Sequence, residues 1–178
     1  MQLPIYSSAE EQRLMVELWS PALADDPEAF VRYVFPWRQK NTPLANFSGP
    51  RKWQREVLND IKTHIQRNKG KVQMDTLREA VSSGRGIGKS ALVSWLVLWM
   101  LTTRIGGSVV VSANSENQLR SVTWAELTKW AAMAMHSHWW EVSATKLVPA
   151  KWITELVERD LKKGTRYWAA EGKLWSAE

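Results

Sequence analysis

A chain of 178 residues accommodates one domain of ordinary size, and its net charge of +6, from 24 Lys and Arg against 18 Asp and Glu, favours polyanionic partners without naming one. The absence of cysteine excludes a disulfide scaffold, thiolate zinc sites and a cysteine nucleophile, and it suits a reducing cytoplasm. With 44% apolar and 24% charged residues, and no apolar run of about 18 residues, neither disorder nor a membrane span is expected.

The N-terminus lacks the basic segment and apolar stretch of a secretory signal, so export is not expected. Ser8 and Glu11 have capping-box spacing, and Leu14, Met15 and Leu18 share a helical face that Pro21 ends. Asp26-Pro27 caps a second helix carrying Phe30, Tyr33 and Val34. Residues 37–50, rich in Pro, Asn, Ser and Gly, read as a loop, which divides a helical N-terminal appendage (1–49) from a core (50–178). Trp53, Val57, Leu58, Ile61 and Ile65 then keep a helical period up to the basic turn at 67–71.

Residues 76–82 are a weak strand candidate, and residues 90–100 are apolar almost all round, which predicts a helix buried in protein. Residues 108–112, SVVVS, suit a strand covered on both faces. Ser115 and Gln118 open another helix toward Met135, Ile153 to Leu161 mark a further one, and residues 165–169 are a last strand candidate. This alternation predicts an α/β fold: an incomplete P-loop NTPase-type parallel sheet with helices on both faces. The 12 tryptophans are expected mostly in the core.

Ser83, Gly84, Arg85, Gly86, Ile87, Gly88, Lys89 and Ser90 match the phosphate-loop pattern G-x-x-x-x-G-K-[ST], except that Ser83 replaces the first glycine. Glycines let successive N–H groups turn inward around an anion, Lys89 would reach the β- and γ-phosphates, and the Ser90 hydroxyl would complete a Mg²⁺ shell. Arg85 lies where a guanidinium meets charge developing on a γ-phosphate. Arg51 and Gln54 open the helix upstream, where a glutamine amide can pair with the N6/N7 edge of adenine. Hydrolysis needs an acidic residue at the end of an apolar strand, and no such strand follows the loop. His136 and His138, two residues apart, are expected to diverge on a helix surface.

PRKWQREVL, SGRGIGKSALVSW and VVVSANSENQLRSVTWAEL together resemble the N-terminal part of the large terminase subunit of tailed bacteriophages, and GTRYWAAEGKLWSAE resembles the passage ahead of that family's acidic strand. The resemblance implies ATP and Mg²⁺ as ligands, with Arg51 and Gln54 as the adenine motif and Arg85 as a γ-phosphate sensor. It also implies double-stranded DNA, a portal protein and a small terminase subunit as partners, a homo-oligomeric motor ring, and the cytoplasm of a bacterial host. The family's acidic strand and nuclease domain have no counterpart in these residues, so the expectation is an ATP-binding part-domain: a truncated product, a prophage remnant or one piece of a split gene. A fragment of a helicase-like DNA-dependent ATPase and a non-enzymatic prophage remnant are the alternatives.

Overall fold

In the computed structural model, which describes residues 8–144 and 146–162, α1 (Ser8–Leu18) buries Leu14, Met15 and Leu18 along one face. Proline cannot donate to a preceding turn but suits the first turn of a helix, so Pro21 both ends α1 and opens the short α2 (Pro21–Ala24). α3 (Pro27–Val34) begins the same way, and Asp26 Oδ1 accepts the Ala29 N–H at 3.0 Å, satisfying one of the orphan donors of the first turn. Residues 37–50 form turns, and α4 (Lys52–Asn68) follows, ending where Gly70 takes φ +86°.

α5 (Lys89–Thr103) is the axis of the core. Leu92, Trp95, Val97, Leu98 and Leu101 are buried on different sides of it, because a helix apolar all round has no face to give to water. It packs against α2, α3 and α7 (Ala125–Met133). Polar bonds fix these contacts: the Trp99 indole N–H donates to Leu23 O at 2.9 Å, Trp19 donates to Thr102 O at 3.0 Å, and Arg104 donates to Ala24 O at 2.9 Å. The Arg104 guanidinium also lies 4.7 Å from the centre of the Trp99 ring. The helices ahead of residue 50 thus contribute to the same hydrophobic cluster as α5.

Ser115 Oγ accepts the Gln118 N–H at 3.2 Å and opens a continuous helical run: α6 (Glu116–Gln118), a π-helical stretch (Leu119–Trp124) and α7. A hairpin missed from the sequence comes next. β1 (Trp140–Val142) and β2 (Leu147–Pro149) pair antiparallel, with Trp140 opposite Pro149 and Val142 opposite Leu147. Strands this short offer no run of alternation to detect. α8 (Lys151–Lys162) closes the described residues, and the strand expected at 165–169 lies outside them.

One expectation holds in its coarser form and one needs correction. The architecture is mixed helix and strand, but the parallel sheet is not formed among the described residues: the two-stranded antiparallel hairpin is the sheet present there. Residues 71–86 are exposed throughout and form no strand, with backbone groups of Asp75, Ser83 and Gly84 bonded instead to side chains, and residues 108–112 carry a single bridge at Val109. A strand needs a neighbour, and these two candidates do not pair with each other.

The correction concerns His136 and His138, which sit at a 3₁₀ turn (Ser137–Trp139) and face inward. His136 is fully buried, its Nε2 lies 2.9 Å from Thr102 Oγ1, and the rings of Phe30 and Trp139 meet it edge-on. His138 Nε2 lies 2.9 Å from Glu11 Oε2, its ring stacked on Trp152. Glu11 also accepts the Trp139 indole N–H, so α1 and the turn are locked together. Among the described residues no helix is long and apolar enough to cross a membrane.

Burial penalises the charged imidazole and pushes the His136 pKa down to about 3 from its ordinary 6.5. Between those values the unfolded chain binds a proton that the native chain refuses, so stability is lost as pH falls through this window, by up to about 1.4 kcal/mol per unit. His136→Gln removes the titration. Its unfolding free energy in urea should therefore fall less steeply with acidification between about pH 6 and pH 4 than that of the parent, whereas parallel slopes would contradict the assignment.

Candidate functional site

The phosphate-loop residues form a turn that leads directly into α5. Gly86 and Gly88 take φ of +75° and +94°, a left-handed conformation that costs a residue with a Cβ about 1–2 kcal/mol. A Cβ built on Gly84 or Gly86 meets nothing within 4 Å, whereas one on Gly88 would lie 2.8 Å from Gln54 Nε2. The glycines therefore serve different ends: open space at Gly84 and Gly86, close approach at Gly88.

The Lys89 ammonium folds back over the loop. It donates to Ser83 O at 2.8 Å, Ser83 Oγ at 2.9 Å and Gly84 O at 2.7 Å, one acceptor for each of its three hydrogens. Ser90 is partly exposed in the first turn of α5, and its carbonyl accepts the Ser94 hydroxyl at 2.8 Å. Ile87 is partly exposed, and Arg85 is exposed at the turn. The first-turn N–H groups of α5, with the positive end of the helix dipole behind them, open toward this loop.

Gln54 is brought to the same place from α4. Its Oε1 accepts the Arg51 N–H at 2.8 Å, which caps the helix, and its Nε2 donates to Gly88 O at 2.9 Å, 34 residues away in sequence. Its relative exposure is 2%, so the amide is an internal strut between α4 and the loop. The structure thus unites Arg51, Gln54 and the loop 83–90, the two separate stretches singled out in the sequence.

A cavity of about 200 Å³ adjoins the loop. Gly86, Gly88, Arg51 and Gln54 line one side, and the other lining residues include Trp37, Leu44 and Phe47 from the 37–50 segment, Ala91 and Trp95 from α5, and Lys129 and Trp130 from α7. The tryptophans are held rigidly against one another, with the Trp95 and Trp130 ring centres 5.0 Å apart and nearly perpendicular, and Trp37 5.9 Å from each. Trp37, Phe47, Trp95, Lys129 and Trp130 were not among the expected site residues. The high tryptophan content was the available signal, but composition does not say which indoles share a wall.

Comparison with protein-family models, with curated proteins and with solved structures returns no match.

The arrangement can bind an anion through backbone N–H groups and one ammonium, and can hold a flat ring beside it. Gly88→Ala would force both a left-handed alanine and a collision with the pinned Gln54 amide, so unfolding in urea should report a loss of about 1–2 kcal/mol or more. Gly84→Ala, which meets open space, should stay within about 0.5 kcal/mol of the parent. Equal stability of the two variants would contradict the roles given to these glycines.

Proposed function

We propose that the chain binds ATP with Mg²⁺ and is the ATP-binding part of a DNA-packaging motor similar to the large terminase subunit of tailed bacteriophages. The observation that carries this reading is the join between the Gly86–Gly88 left-handed turn and the start of α5, with the Lys89 ammonium drawn across it and a ring-sized aromatic cavity alongside. The residues fit the ligand: open space at Gly84 and Gly86 leaves room for phosphate oxygens against the backbone.

In this reading Lys89 gives up Ser83 and Gly84 for the β- and γ-phosphate oxygens, so one set of charge-assisted hydrogen bonds replaces another. Ser90 supplies a hydroxyl to Mg²⁺, a cation that keeps most of its shell as water and phosphate oxygen and makes do with few protein ligands. Arg85, exposed at the turn, reaches the γ-phosphate and senses its presence. Trp37 and Phe47 offer the base a stacking surface.

The parallel sheet belongs to the same proposal, with residues 76–82 and 108–112 as the strands that flank α5 in sequence. So do the partners: double-stranded DNA, a portal protein, a small terminase subunit and further copies of the chain in a ring. These rest on the resemblance and on a net charge of +6. Lys89→Ala is expected to abolish binding of a fluorescent ATP analogue while leaving circular dichroism unchanged. Equal binding by the two proteins would overturn the proposal.

A further inference from the structure

Gln54 was expected to read adenine, which requires its amide to present Oε1 and Nε2 together along the edge of a base. Both atoms are already committed within the protein, Oε1 to the Arg51 N–H and Nε2 to the Gly88 carbonyl, and the side chain is 98% buried, its relative exposure being 2%. Turning the amide toward a base would break both bonds and leave a buried carbonyl short of one partner.

The Gly88 carbonyl is a pivot. It accepts the Leu92 N–H at 3.1 Å, the first bond of α5, and the Gln54 Nε2 at 2.9 Å, so both its lone pairs are used and its direction is fixed. A trans peptide points its C=O and N–H in opposite directions. Fixing the Gly88 carbonyl against Gln54 therefore turns the Lys89 N–H away from α4, toward the side on which the anion is gripped. The left-handed φ of +94° at Gly88 brings the backbone close enough for this contact, since a Cβ there would meet the same Nε2.

We infer that Gln54 is a positioning residue for the phosphate loop: it holds the peptide that presents the Lys89 N–H and so sets affinity for the triphosphate, not the choice of base. The inference rests on the proposed triphosphate site. Base preference then falls to the cavity walls, where stacking on Trp37 and Phe47 accepts the face of either purine.

The test uses the full chain and three probes: magnesium ATP, magnesium GTP and inorganic tripolyphosphate, which has no base. Gln54→Ala removes both bonds, and Gln54→Glu keeps the cap on Arg51 while losing the donor to Gly88. Both variants should bind all three probes more weakly by a common factor of about tenfold, with the ATP-to-GTP ratio unchanged. In the unaltered protein, the side-chain amide NMR signals of Gln54 should shift on adding tripolyphosphate and stay in place with adenosine. A loss confined to ATP, unchanged affinity for tripolyphosphate, or a response of the amide to adenosine alone would overturn the inference. Failure of the unaltered protein to bind any of the three probes would instead remove the triphosphate site itself, and this role with it.

Discussion

A helix that is apolar on every side can exist in water only if other elements enclose it, and α5 imposes that constraint on the rest of the chain. Its flanks are taken by α2, α3 and α7, and the Trp99 and Trp19 N–H groups tie these contacts to the helix-end carbonyls of Leu23 and Thr102. Enclosure leaves Val93 and the two ends. At the C-terminal end Arg104 covers Trp99 and bonds back to α2; at the N-terminal end the helix runs out into the glycine turn. The polar feature of the site is thus the uncovered end of the most deeply buried element. That geometry packs the body of the helix while the loop before it stays exposed.

Lys89 and Gln54 act on the loop from opposite sides. Lys89 bonds to its near end, at Ser83 and Gly84, and Gln54 to its far end, at Gly88, so the turn is held in shape by contacts that differ in permanence. The Lys89 bonds lie at the surface, where water competes and an incoming anion can replace them. The Gln54 bonds are buried, where an unsatisfied carbonyl costs about 1–3 kcal/mol, so they persist. One contact can exchange and the other cannot, which is what a site needs if it is to accept a phosphate chain without collapsing.

How much of this was legible in the sequence follows from the range of each signal. Caps and helical periods are local, so Asp26 with Pro27, the stripe through Leu58 and Ile65, and the Ser115–Gln118 pair all marked their helices. The phosphate-loop motif is local too, and the glycines with positive φ fall inside it. Strand formation depends on a neighbour that the segment itself does not encode: residues 76–82 and 108–112 have plausible composition yet do not pair with each other, while the short hairpin at Trp140 and Leu147 pairs with no periodic signature. His136 reads as a surface residue from its spacing to His138 but is enclosed by Phe30 and Thr102, from two distant parts of the chain, and by the neighbouring Trp139. The cavity wall shares that long range, since Trp37, Trp95 and Trp130 meet only once α5 and α7 have packed. Gln54 was half legible: its place near the loop came from the family resemblance, since its spacing alone marks an ordinary helix edge, and the bond of its amide to Gly88 left no mark in the sequence.

The central claim is that backbone N–H groups at the start of α5, together with the Lys89 ammonium, grip a triphosphate. Isothermal titration of the folded chain with magnesium ATP measures this directly. The account predicts saturable heat with one nucleotide bound per chain, and the same site taken up by tripolyphosphate in competition. A well-folded preparation that releases no heat of binding with either ligand would contradict it.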